Sequence, residues 1–195
     1  MRFFLIPLFW LILFSTPSIA ENLHMSNPQV KLQTSLGDIV IELNPMKAPV
    51  TSQNFLDYVE SGFYDGTIFH RIIPGFMAQG GGFDTGFVQK DTQPQIKNEA
   101  DNGLKNLRGS VAMARTSIPD SATSQFFINC ADNGFLDHSS PTPPGWGYAV
   151  FGSVIDGMEV VKQMENVDTG SRSGHQDVPK TDIVIEKASI LENDN

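Results

Sequence analysis

Phe69-His-Arg-Ile-Ile-Pro-Gly-Phe-Met-Ala-Gln-Gly-Gly81 is the stretch on which the reading of this chain turns. Its first part belongs to an alternating run, Thr67–Ile73, that predicts a strand. On an unbroken strand Arg71 shares a face with Phe69 and Ile73. An arginine set among Phe, Ile and Met is either a surface residue on an exposed strand face or a charge held over an apolar patch. A second segment makes the choice matter. Met113-Ala-Arg-Thr-Ser-Ile-Pro-Asp-Ser-Ala-Thr-Ser-Gln-Phe-Phe-Ile-Asn129 puts Gln125 and Phe127 on one strand face, with Phe135-Leu136-Asp137 soon after.

Working outward, the periodicities predict many short strands and two helices. Val30, Leu32 and Thr34, then Ile39, Ile41 and Leu43, alternate around Ser35-Leu-Gly37 as a hairpin. Pro49–Gly62 reads as a helix capped by Thr51 or Ser52, with Val50, Phe55, Leu56 and Val59 as its apolar face. Ser110–Ala114, Gln125–Cys130, Tyr148–Val154 and Ile183–Ile190 are further strands. Asp156-Gly-Met-Glu159 has the form of a capping box opening a second helix that buries Val160, Val161, Met164 and Val167. Two long loops remain, Ser139–Gly147 and Glu165–Asp182. The sum is an antiparallel sheet or barrel with helices packed against it.

Composition narrows the function. The chain has 195 residues and a formal charge of −9, with no basic block, which argues against nucleic acid and anionic membranes as partners. Residues 1–20 have the order of a secretory signal peptide: Met1-Arg2, an apolar run from Phe3 to Phe14, and a small-residue end at Ala20. The rival reading is a retained anchor, for which the apolar run is short. Residues 21–28 read as a flexible linker, 29–192 as one domain and 193–195 as a tail. Export to the periplasm is expected, with release from the cell as the alternative. Cys130 is the single cysteine, so no internal disulfide can form, and its apolar setting predicts a buried structural thiol.

Other chemistries find little support. His24, His70, His138 and His175 lack ligand spacing, and there is no Cys-x-x-Cys or His-Glu-x-x-His. No Gly-x-Ser-x-Gly elbow occurs. Gly80–Gly86 misses the dinucleotide spacing and reads as a backbone-crowded turn. No cofactor or metal is expected.

The two quoted segments resemble the cyclophilins, the peptidyl-prolyl cis–trans isomerases, from about Val30 to Leu191. The leader and loops look most like the exported bacterial branch. The resemblance implies a mainly β fold: a closed eight-stranded antiparallel β-barrel capped by two α-helices, with the active site on its outer face. It implies that Arg71 is the catalytic arginine and that Phe76, Met77, Phe127 and Leu136 hold the proline ring. Gln79 would sit near the substrate backbone, and Ala114 and Gln125 would line the peptide groove. Tyr148 falls where many members carry histidine, and Phe135 where many carry tryptophan, so cyclosporin binding is expected to be weak. Partners would be proline-containing unfolded or partly folded polypeptides, met by a monomer that has no membrane contact after leader cleavage. Two other readings compete: a module that binds proline segments without catalysis, and a barrel for small ligands. Arg71 argues against the first and the motif matches against the second. For the Pro-rich stretch 139–147, Trp146 and its prolines edge the groove, or the stretch is a solvated insertion.

Overall fold

The computed structural model describes residues 27–192, so the leader, most of the linker and the tail lie outside the described residues. Ten strands and two helices follow in the order β1 (Gln29–Thr34), β2 (Gly37–Leu43), α1 (Pro49–Glu60), β3 (Thr67–Ile73), β4 (Met77–Asp84), β5 (Ser110–Met113), β6 (Phe126–Asn129), β7 (Val150–Asp156), α2 (Met158–Met164), β8 (Thr169–Arg172), β9 (His175–Pro179) and β10 (Val184–Leu191). Eight of them close an antiparallel barrel in the order β1-β10-β3-β4-β6-β5-β7-β2. Strands β8 and β9 form a separate hairpin. No helix among the described residues is long and apolar enough to cross a membrane.

Inward residues of the strands fill the barrel. Phe55 of α1 meets Tyr64, Phe126 and Phe151 with ring centroids 5.1–5.4 Å apart. All four rings are fully buried, as are Leu32, Ile39, Ile41 and Leu43 of the first hairpin. Helix α1 packs on β10 and β7, and α2 on β2. The approach of α2 is close: a Cβ on Gly37, which lies at φ 133°, would sit 2.9 Å from Val160 Cγ2. A side chain there would strain the turn and push the helix away.

Several expectations need correcting. Helix α1 is not capped by Thr51 or Ser52, which lie inside it. The carboxylate of Glu99 accepts the N–H groups of Val50 and Thr51 at 3.1 and 2.9 Å and the Thr51 hydroxyl at 2.7 Å. An anion at a helix N-terminus satisfies free donors and complements the dipole. Val50 therefore stays exposed, and Thr51, Ser52 and Asn54 are buried instead. Helix α2 has no capping box; Gly157 is its N-cap at φ 87°. Its predicted face does pack inward, with Val160, Val161 and Met164 buried and Val167 partly so. Gly80–Gly86 is crowded as expected, but Gly80 to Gly82 lie within strand β4 rather than a turn. The predicted loop Glu165–Asp182 contains the β8–β9 hairpin. Its strands are short, and their sequence shows no alternation of apolar and polar residues.

Candidate active site

The outer face of β3, β4, β6, β5 and β7 carries one row of neighbouring residues. In register, Arg71 lies beside Gln79, Gln79 beside Phe127, Phe127 beside Ala112, and Ala112 beside Val150. Met77, Ala112, Phe127, Leu136 and Val150 form a buried apolar cluster of their own, apart from the barrel core. Ile73, Phe76, Ala114 and Tyr148 pack around it. Met77, Phe127 and Leu136 of this cluster, with Phe76, Ala114 and Tyr148, line an open cavity of about 140 Å³ that Arg71, Gln79 and Arg115 complete on its polar side. A hole of roughly 150 Å³ accommodates a benzene ring, so one small ring fits here.

A β-bulge aims Arg71 at this cavity. Phe69 pairs with Gly80 and Arg71 with Gln79, so His70 is an extra residue in β3. The unbroken alternation expected from the sequence fails at this point. Phe69 and Ile72 face the barrel core, while Arg71 and Ile73 face the outer pocket. Bulges re-aim side chains in this way. His70 turns under the β8–β9 hairpin, against Phe83 at 4.7 Å, with Nδ1 lacking a partner. Burial, with the neighbouring His175 and Arg71, lowers its pKa to about 4. It is thus a neutral packing residue and not part of the pocket.

The hairpin also reaches Arg71. Asp177 of β9 places Oδ2 3.7 Å from Arg71 Nε, both side chains being half-exposed. Asp177 holds a left-handed backbone, φ 61°, a conformation that short polar side chains tolerate better than most. The pairing engages Nε, and the same side chain lines the cavity.

Gln79 is fixed by a hydrogen bond from its Nε2 to Gln125 Oε1 at 2.9 Å. Gln125 lies over the β4 backbone so closely that a Cβ on Gly82 would fall 2.5 Å from its Cγ. Gly82 is the residue that lets Gln125 reach Gln79. Gln125 does not touch the apolar cavity; it lines a neighbouring polar one of about 320 Å³, together with Gln79 and Ala114.

The wall formed by Leu136 hangs on buried amides. Asn129 Nδ2 donates to Ser110 Oγ at 2.9 Å, Asn133 Nδ2 donates to Asn129 Oδ1 at 2.7 Å and to the Phe76 carbonyl at 2.9 Å, and the Asn106 N–H donates to Asp137 Oδ1 at 2.8 Å. Burial alone would raise the Asp137 pKa, but the Asn106 hydrogen bonds and the charge of Lys105 outweigh it and hold the carboxyl below its ordinary value. Phe135, 75% exposed, stands at the rim and stacks on Phe76 with centroids 5.6 Å apart. Tyr148 meets Phe127 edge-on at 5.7 Å.

The expected site residues therefore gather on one outer face. Arg71, Phe76, Met77, Gln79, Ala114, Phe127, Leu136 and Tyr148 line the apolar cavity, Gln125 lies one cavity away, and Phe135 flanks it. Three features escaped the sequence reading: Asp177, the asparagine network and Arg115. Arg115 directly follows Ala114 in the second quoted segment, and that adjacency was the available signal. Cys130 is buried away from solvent, its thiol pushed up to about 12 chiefly by burial. Among the described residues no three His, Cys, Asp or Glu side chains are grouped to hold a metal ion.

The family model for cyclophilin-type peptidyl-prolyl cis–trans isomerases matches residues 29–190. The chain belongs to the cyclophilin family. It is 61% identical to peptidyl-prolyl cis-trans isomerase cyp18 of Streptomyces antibioticus, over 83% of this chain and 98% of that one. It is 57% identical to peptidyl-prolyl cis-trans isomerase B of Escherichia coli, over 84% of this chain and 99% of that one. A Cryptosporidium parvum cyclophilin solved in the presence of the dipeptide Ala-Pro superposes with a TM-score of 0.68 at 31% identity, covering 85% of this chain and 99% of that one. This cyclophilin is accordingly a peptidyl-prolyl cis–trans isomerase on a closed eight-stranded barrel.

Proposed function

We propose that isomerisation on this cyclophilin takes place in the outer-face cavity, with Arg71 as the catalytic residue. The observation that carries this is a half-exposed guanidinium on the rim of a ring-sized apolar cavity. An X-Pro bond turns slowly because amide resonance sets a barrier of ~18–20 kcal/mol. Twisting the bond removes that resonance and leaves a lone pair on the proline nitrogen. A guanidinium aimed at the nitrogen binds the twisted state better than either planar isomer, and so lowers the barrier. Arginine suits the task because it stays charged and offers a rigid fork of donors. Phe76, Met77, Phe127 and Leu136 would grip the ring so that rotation occurs about one bond. Gln79, held by Gln125, would donate to the substrate backbone, with Ala114 leaving room for the chain and Tyr148 closing the far side.

The reading extends to the setting. Residues 1–20 direct export, and the clients are exported proteins that fold in the periplasm, where this chain acts as a monomer. Phe135 replaces a tryptophan common in the family, so cyclosporin is held weakly.

The test is a prolyl isomerisation assay on a short Ala-Pro peptide with the purified protein and with Arg71→Ala. Removing one preorganised donor lowers kcat/KM about a hundredfold or more. A folded Arg71→Ala protein that keeps its rate would remove Arg71 from the chemistry. Retained peptide binding with lost catalysis separates this reading from a non-catalytic binding module. Intact-mass measurement of the protein from the periplasmic fraction should find Glu21 as the first residue; an uncleaved leader there favours the retained anchor, and recovery from the cytoplasm alone overturns the export reading.

A further inference from the structure

Arg115 is a cation at the site held by neutral groups. Arg71 faces Asp177 and Arg172 binds Asp182 at 2.8 Å, whereas Arg108 and Arg115 form no ion pair among the described residues, and of these two only Arg115 lines the proposed site. Three carbonyl oxygens hold it instead: Nε donates to Gly147 at 2.8 Å, Nη1 to Thr116 at 2.9 Å and Nη2 to Pro143 at 3.2 Å. Its guanidinium carbon lies 4.7 Å from the Tyr148 ring centre. The charge is thus fixed in place by neutral groups, and each terminal nitrogen retains one free N–H.

The Pro-rich stretch 139–147 supplies much of this cradle. Trp146 Nε1 donates to the Asn98 carbonyl at 3.2 Å, and His138 Nδ1 donates to the Trp146 carbonyl at 2.9 Å. These bonds tie the stretch to the connection between β4 and β5 and to its own start, and Gly147 and Pro143 present their carbonyls to Arg115. The stretch touches the site only through this arginine, whose guanidinium its Pro143 and Gly147 carbonyls hold.

Arg115 also lines both cavities, the apolar one of about 140 Å³ and the polar one of about 320 Å³ beside it. The other walls of the polar cavity are amides and hydroxyls: Gln89, Thr92, Gln95, Thr123 and Gln125, with no carboxylate among them. On a chain of formal charge −9 this is a locally cationic recess beside the proline site.

We infer that Arg115 selects substrates carrying an acidic side chain close in sequence to the proline, the carboxylate entering the polar cavity while the ring occupies the apolar one. This deepens the site reading above and rests on it. A carboxylate there meets free N–H groups of a fixed guanidinium, and glutamate has the reach to enter from the peptide backbone. A lysine at the same place meets like charge.

The test uses blocked Ala-Ala-Ala-Pro-Ala-Ala peptides with Glu, Gln or Lys placed singly at each alanine, their exchange rates read by NMR. At one position or more, kcat/KM for Glu exceeds that for Gln by about fivefold, the size of a half-exposed ion pair, and Lys falls below Gln. The Glu-to-Gln ratio drops to near one in Arg115→Gln and is partly restored in Arg115→Lys. In the wild type the ratio shrinks at about 0.5 M salt, which decides the matter even if Arg115→Gln does not fold. Equal rates for Glu and Gln at every position, or a preference that survives Arg115→Gln or high salt, overturns the inference. Arg71→Ala lowers every rate and leaves the ratio alone. Undiminished rates in Arg71→Ala defeat the site reading separately from the selectivity.

Discussion

Phe126 and Phe127 are consecutive residues of β6, and they have opposite surroundings. Phe126 is fully buried and meets Phe55, Tyr64 and Phe69 at 5.4, 5.5 and 6.0 Å. Phe127 is nearly as buried, but its neighbours are Met77, Ala112, Leu136 and Val150 on the outside of the same barrel. Inside, every apolar surface is covered by the chain itself. Outside, the apolar surface closes around a cavity that the chain leaves open. An apolar recess on a barrel's outer face is where the proposed proline site lies. Strand alternation thus builds two apolar clusters at once, one closed inside the barrel and one open on its outer face.

The sharpest way to break this contrast is to truncate both rings. Phe126→Ala should cost about 3–5 kcal/mol of unfolding free energy, because no neighbour can collapse into a hole inside a closed barrel. Denaturant unfolding followed by circular dichroism measures it. Equal destabilisation by Phe127→Ala would erase the distinction between the faces.

His70 sharpens the comparison from a third place, since it is buried outside the barrel beneath the β8–β9 hairpin. Its folded pKa of about 4 lies below the ordinary value for histidine. The unfolded chain therefore binds the proton first as pH falls. The stability from keeping His70 neutral is fully present above the ordinary pKa of ~6.5 and is lost toward pH ~4, by up to about 1.4 kcal/mol per pH unit. His70→Phe should flatten this slope in denaturant midpoints taken between neutral and mildly acidic pH. An unchanged slope would place the titration on another group.

Phe127→Ala should leave most of the stability and weaken the hold on proline, raising KM about tenfold, the worth of one lost apolar ring contact in a partly open site. Steady-state NMR exchange over a range of peptide concentration separates KM from kcat. The smallest effect is expected at Asp177. Asp177→Asn keeps a residue that tolerates the left-handed backbone and removes the charge beside Arg71 Nε, so kcat should fall about threefold with KM unchanged. No change, or a rise, would show that the hairpin does not orient Arg71.

Much of the fold was legible because its signals are local. The hairpin around Ser35-Leu-Gly37, the span of β3 and the buried face of α2 follow from periodicity within a few residues. The gathering of Arg71, Phe76, Met77 and Phe127 was legible only through resemblance, since no spacing rule brings β3, β4 and β6 together. The cap on α1 was misread because its anion, Glu99, lies 48 residues beyond Thr51. The hairpin at β8 and β9 was missed because its short strands carry little apolar alternation to read.

The sequence by itself determined which residues prefer strand or helix, which of them must leave water, and that one arginine stands amid apolar neighbours. Those are properties of single side chains and of short-range periodicity. Tertiary structure alone decided where that arginine points. The register of β3 against β4 leaves His70 unpaired, turns Phe69 inward and Arg71 outward, and sets the guanidinium between Asp177 and the outer pocket. Register is a relation between two strands fixed by closing the whole barrel, and one extra residue in it reverses the face on which every later side chain stands.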